Sequence, residues 1–184
     1  MSKAYVFFAD GFEEVEAITP VDYLRRAGVE TVMVSIKDTK NVTGAKGIPM
    51  VADKLFSECD FSDADMLVLP GGMPGTKYLG QHQGLCDLLV KAASDDKTIL
   101  GAICAGPTVL GKLGILKDKK ATCYPGCEAQ LTGAKVTDKR FVTDGRVVTS
   151  RGAGTAPYFA FALIEALCGE EKAMEIMREV VFTI

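Results

Sequence analysis

The chain has 184 residues, of which 48% are hydrophobic and 24% charged, and its formal net charge is −3. That length suits one domain over residues 1–184 with a sizeable core, and the composition is that of an ordinary globule. The acidic balance makes no electrostatic case for nucleic acid or an anionic membrane as partner, and no apolar run approaches the ~20 residues of a membrane span. Met1-Ser2-Lys3-Ala4-Tyr5 runs into a strand after one charge, unlike a signal peptide. Six cysteines without such a signal read as reduced thiols of a cytoplasmic protein. Only Cys123 and Cys127 are close together and the chain has one histidine, so no metal site is expected where zinc would take four ligands.

In chain order, Tyr5-Val6-Phe7-Phe8 is a short apolar strand that ends in the turn Ala9-Asp10-Gly11-Phe12. Glu13 to Ala17 start a helical turn. Thr19-Pro20 has the form of a second start, with Thr19 as N-cap and Pro20 in the first turn, so either two helical pieces meet near Ile18 or one helix kinks there before Gly28. Glu13 and Glu14 are expected to be exposed helix glutamates. Thr31 to Ile36 is a second strand, and Asn41 to Asp53 suggests a small hairpin. Met66 to Leu69 is a third buried strand, stopped by Pro70-Gly71-Gly72. Gln83 to Ser94 is amphipathic, with Leu85, Leu88, Leu89 and Ala92 on one stripe. Ala121 to Tyr124 and Lys135-Val136 are weak strand candidates. Phe141 to Thr149 forms a hairpin about Asp144-Gly145, and Thr155 to Leu167 and Glu170 to Val180 are closing helices. This alternation predicts an α/β fold, a mostly parallel sheet with helices on both faces.

One stretch carries chemistry. Ile99 to Ile103 reads as a strand buried on both faces, and Val109, Leu110 and Leu113 recur at helical spacing just beyond it. Between them stands Cys104, with Ala102 and Gly106 two residues to either side. A nucleophile elbow needs that pattern, because bulk at those positions would clash with the strained turn. Pro107 suits the first turn of the following helix. Three loops should meet at the carboxyl edge of the sheet: the turn before Glu16, Pro70-Gly71-Gly72, and the elbow. The amides of Gly72 and Ala105 are candidate oxyanion donors there.

Gly11-Phe12-Glu13-Glu14-Val15-Glu16, Pro20-Val21-Asp22, Leu69-Pro70-Gly71-Gly72, Ala102-Ile103-Cys104-Ala105-Gly106-Pro107 and Thr149-Ser150-Arg151-Gly152-Ala153-Gly154-Thr155 together resemble the ThiJ/PfpI superfamily. The likeness is to its Parkinsonism-associated deglycase branch, the DJ-one family, and runs nearly end to end. It implies a flavodoxin-like sandwich and a homodimer with the site near the subunit interface. It further implies Cys104 as nucleophile and Glu16 as the carboxyl group beside it. Gly71, Gly72 and Ala105 would hold the oxyanion or substrate, together with Tyr124 and Arg151. Many members of that family have a histidine where Tyr124 stands. His82, in Gly80-Gln81-His82-Gln83-Gly84, reads as solvent-facing, which argues against the protease and glutaminase branches and their histidine base.

What remains is a thiol–carboxyl dyad. The resemblance implies a cofactor-free enzyme acting on small α-oxoaldehydes such as methylglyoxal, or on early glycation adducts, through a Cys104 hemithioacetal. The alternative is an oxidative-stress sensor or redox-regulated chaperone working through oxidation of Cys104. Two expectations about protons follow. Burial beside the thiol should raise the pKa of Glu16. The helix terminus and amide donors should outweigh burial at Cys104 and bring the thiol below its usual ~8.5.

Overall fold

Apolar residues on both faces of the central strands force helices onto both sides of the sheet. The structure, a computed structural model, describes residues 2–95 and 97–183. The strands are β1 (Lys3–Phe8), β2 (Glu30–Ser35), β3 (Asn41–Thr43), β4 (Pro49–Val51), β5 (Lys54–Leu55), β6 (Met66–Leu69), β7 (Ile99–Ile103), β8 (Lys120–Ala121), β9 (Lys135–Val136), β10 (Phe141–Asp144) and β11 (Val147–Ser150). The helices are α1 (Glu14–Arg26), α2 (Gly75–Gln81), α3 (Gln83–Ser94), α4 (Pro107–Lys112), α5 (Ala156–Cys168) and α6 (Glu170–Glu179).

Seven strands form the main sheet in the order β10-β11-β7-β6-β1-β2-β5. Every pairing in it is parallel except β10 with β11. The run β2-β1-β6-β7-β11 has flavodoxin-like connectivity, whose switch point lies between β1 and β6. The two-residue period of the strands divides the core. Val6, Phe8, Val68 and Ile103 face α1 and α5, where they meet Ala17, Leu24, Phe159 and Leu163. Tyr5, Phe7, Leu67 and Leu100 face α3 and α4, against Leu85, Leu89, Val109 and Leu110. The Asn41–Asp53 segment holds the antiparallel pair β3–β4, as its glycines and proline suggested.

The structure corrects four local expectations. Thr19 caps nothing, because α1 is continuous through Pro20 and its N-cap is Glu13. The ring removes one hydrogen bond inside the helix, and Pro20 is buried there. Glu14 is buried rather than exposed, and its Oε1 accepts the Lys46 amide at 2.7 Å, tying the β3–β4 turn to α1. Helix α2 was not anticipated. His82 is half-buried and caps α3, its Nδ1 accepting the Leu85 amide at 3.0 Å while the ring packs on Phe56.

Candidate active site

Three strand ends on either side of the switch point deliver three residues to one spot. The turn after β1 leads into α1, whose first turn carries Glu16; β6 ends at Gly71-Gly72; β7 ends at Cys104. Cys104 has φ +65, left-handed backbone that a non-glycine residue adopts only under constraint. Two hydrogen bonds supply that constraint. The Cys104 amide donates to the Ser150 carbonyl at 2.9 Å, and its carbonyl accepts the Tyr124 amide at 2.8 Å. The sharp turn also requires a glycine at 106, where a Cβ would stand 2.8 Å from the Leu69 carbonyl oxygen. The expected elbow is therefore present, down to its demand for small neighbours.

Glu16 is 1% exposed. Its Oε2 accepts the Gly71 amide at 3.1 Å, and the Cys104 thiol and the Ala153 amide stand beside the carboxyl. The Gly71 amide thus faces the carboxyl, whereas the amides of Gly72 and Ala105 face the sulfur. Gly71 has no room for a side chain, since a Cβ would lie 2.9 Å from Sγ and closer still to the carboxyl. Tyr124 is exposed, and its ring stands over Gly152 at the rim. The Arg151 guanidinium donates to the Asp138 carbonyl at 2.8 Å.

Burial is the largest influence on both members of the dyad. It pushes Glu16 up to about 7, against the opposing pull of the Cys104 thiol and the Gly71 and Ala153 amides. It pushes the Cys104 thiol up to about 12, joined by the negative charge of Glu16 and by their hydrogen bond, with the Ala105 and Gly72 amides pulling the other way. The raised carboxyl matches the sequence reading. The lowered thiol does not: α4 has only six residues, so its dipole is short, and two amides do not offset burial beside a carboxylate. The two groups are coupled, and when the pair holds a single proton thiolate exists only in the form that keeps that proton on Glu16.

Sequence reasoning missed Ser150, which clamps the elbow, and Ala153, whose amide stands beside Glu16. The signal was the run Gly152-Ala153-Gly154, three small residues just past the carboxyl end of β11. Among the described residues, no group of three or more His, Cys, Asp or Glu could hold a metal ion. No described helix is long and apolar enough to cross a membrane.

Residues 2–166 match the DJ-1/PfpI family. Protein DJ-1 homolog B of Arabidopsis thaliana is 39% identical over 95% of this chain, which spans only 40% of that protein's length. The Caenorhabditis elegans protein named glutathione-independent glyoxalase DJR-1.2 is 36% identical, over 90% of this chain and 88% of its own. Among solved structures, oxidized Toxoplasma gondii DJ-1 superposes with a TM-score of 0.95 at 34% identity and full coverage of both chains.

Proposed function

The chain belongs to the DJ-1/PfpI family, and from that premise we propose that it is a cysteine-dependent enzyme acting on α-oxoaldehydes such as methylglyoxal, free or as early glycation adducts. One observation carries the reading: a thiol held at φ +65, beside a buried carboxyl and faced by two backbone amides. The glyoxalase name of the nematode relative supports it.

The chemistry follows from the positions of these groups. Thiolate adds to the aldehyde carbon, and the oxyanion of the hemithioacetal turns to the amides of Gly72 and Ala105. Glu16 hands its proton to that oxyanion, then takes the proton from the same carbon and returns it at the neighbouring carbonyl carbon as the enediol collapses. The result is a thioester of a 2-hydroxy acid, which one water hydrolyses to free the acid and the thiol. Aldehyde carbon is oxidised and ketone carbon reduced within one molecule, so the sequence calls for no cofactor. Lactate from methylglyoxal without glutathione is the expected product. Full activity in Cys104→Ser would rule out the covalent route.

The oxidized state of the Toxoplasma relative favours a second role on the same residues, oxidation of Cys104 to a sulfinate held by the same amides and by protonated Glu16. Under mild peroxide, intact mass and peptide mapping should find two added oxygens on Cys104 before any on Cys59, Cys86, Cys123, Cys127 or Cys168. Indiscriminate oxidation would count against it. We also propose a homodimer in the cytoplasm. Val15 and Ile18 flank Glu16 along α1 and are 48% and 39% exposed, more apolar surface than a solvated helix needs. Light scattering at micromolar concentration should find twice the chain mass, and a monomer alone would refute pairing.

A further inference from the structure

The segments that aim two amides at Cys104 continue into the walls of a single groove. Gly72 leads into Met73 and Thr76, and Ala105 leads into Thr108, Val109 and Lys112. Together with their neighbours they enclose a cavity of about 460 Å³, and Ala105 lines it directly. Its charge is one-sided. Lys77 on α2 and Lys112 on α4 line it, no Asp or Glu does, and neither lysine has an ion-pair partner among the described residues. Thr76 is 4% exposed, and its Oγ1 has no hydrogen-bond partner among the described residues, so a hydroxyl hydrogen is free to turn toward an incoming acceptor.

We propose that this groove seats an anionic tail of the substrate, so that the preferred substrates are α-oxoaldehydes carrying a carboxylate or phosphate on a short carbon chain. The inference rests on the α-oxoaldehyde reading of the dyad and adds the substrate class. Two unpaired ammonium groups and a free hydroxyl donor suit an oxyanion, and the apolar stretch from Met73 to Val109 suits the methylenes that join it to the reacting carbons.

The probe is 4,5-dioxopentanoate, which has the same reacting carbons as methylglyoxal and a carboxylate two methylenes away. Addition of one water converts it to 2-hydroxyglutarate, with C5 oxidised and C4 reduced. Its KM should lie about tenfold below that of methylglyoxal, and the gap should shrink as salt screens the lysines. In the double variant Lys77→Gln/Lys112→Gln the ratio of the two KM values should fall to near one. The phosphate ester of hydroxypyruvaldehyde, run alongside, tells whether phosphate is accepted in place of carboxylate. No preference for either anion, or a preference indifferent to both lysines, would overturn the proposal. A second readout needs no turnover: Cys127 lines the groove, so 2-hydroxyglutarate should slow its alkylation by iodoacetamide in the wild type and not in the double variant. If neither aldehyde is consumed but this protection holds, the groove stands and the α-oxoaldehyde reading fails. Absence of protection removes the groove whatever the turnover.

Discussion

The two edges of the main sheet handle buried polar groups in opposite ways. At the amino edge Tyr5 is 2% exposed, yet its hydroxyl donates to Asp63 Oδ1 at 2.6 Å and to the Asp60 carbonyl at 3.0 Å. Lys3 Nζ meets Asp63 and Glu30 at 2.8 and 3.0 Å, and the Lys3 amide meets Asp65 at 2.8 Å. Donors face acceptors, and the Lys3 and Tyr5 bonds hold Asp63 below the usual carboxylate range. At the carboxyl edge two acids, Glu16 and Cys104, are buried against one another with no cation beside them among the described residues, and both are pushed up. Matched partners at one edge yield stability. Two groups competing for one proton at the other yield a nucleophile that is costly to keep and ready to react.

The widest break between the edges should come from Cys104→Ser. A hydroxyl cannot form the thioester, so turnover of methylglyoxal should fall by about 10³-fold or more. The denaturation midpoint should barely move, because the elbow is held through backbone atoms and Gly106.

Glu16→Gln comes next, and its pH dependence separates it from simple loss of a contact. In the wild type, burial and the negative charge of Glu16 both hold the Cys104 thiol up, so alkylation should rise only well above the usual ~8.5. Glutamine removes that charge and leaves burial, the largest influence, so the inflection should move down while staying above ~8.5. A wild-type inflection below ~8.5 would place the shared proton on Glu16. Turnover should drop by about 10²- to 10⁴-fold as the proton shuttle is lost. Stability should respond too. A carboxyl raised in the folded state contributes stability fully below its unfolded value of 4.5 and loses that contribution as pH climbs through about 7. Wild-type stability should therefore decline over that window relative to the variant, as urea midpoints at pH 4.5 and 8 would show.

Gly71→Ala should act on geometry alone. A Cβ 2.9 Å from Sγ pushes the dyad apart, and misplacement on the order of 1 Å costs about 10²-fold in rate. Overpacking adds about 1–3 kcal/mol of destabilisation. Activity near wild type would mean that the tightness of this edge is not needed.

How these edges read in the sequence depends on what fixes them. The elbow was legible because a left-handed turn excludes bulk two residues away, which leaves Ala102 and Gly106 as a trace. The layer order was legible because period-two apolar strands alternate with amphipathic segments such as Gln83 to Ser94. Glu16 was legible through the family resemblance, since nothing local distinguishes it from Glu13 or Glu14. Helix α2 was hidden by Gly75 and Gly80, poor helix formers that tertiary packing about Leu79 overrides. Thr19-Pro20 imitates a helix start because Pro20 suits a first turn equally well. The thiol's direction was beyond reach, because it depends on how much water the fold removes from Cys104 and how near it sets Glu16.

The smallest expected effect probes the amino edge. Tyr5→Phe keeps the ring against Phe61 and removes only the hydroxyl. Asp63 is half exposed and keeps Lys3, so water can replace the lost donor, and the cost should be about 0.5–1.5 kcal/mol at neutral pH. The sign with pH follows from the lowered Asp63. A carboxylate depressed in the folded state contributes stability above its unfolded value, near 3.9, and loses it as pH falls through the folded one. The penalty of the substitution should thus be complete at pH 7 and shrink below about pH 4, opposite to the trend at Glu16. Methylglyoxal turnover should be unaffected, because Tyr5 lies on the strand that ends near the dyad but its hydroxyl faces the other edge. A turnover defect that persists at full folding would show that the two edges are coupled through β1, and that their division of labour is less complete than their hydrogen bonds indicate.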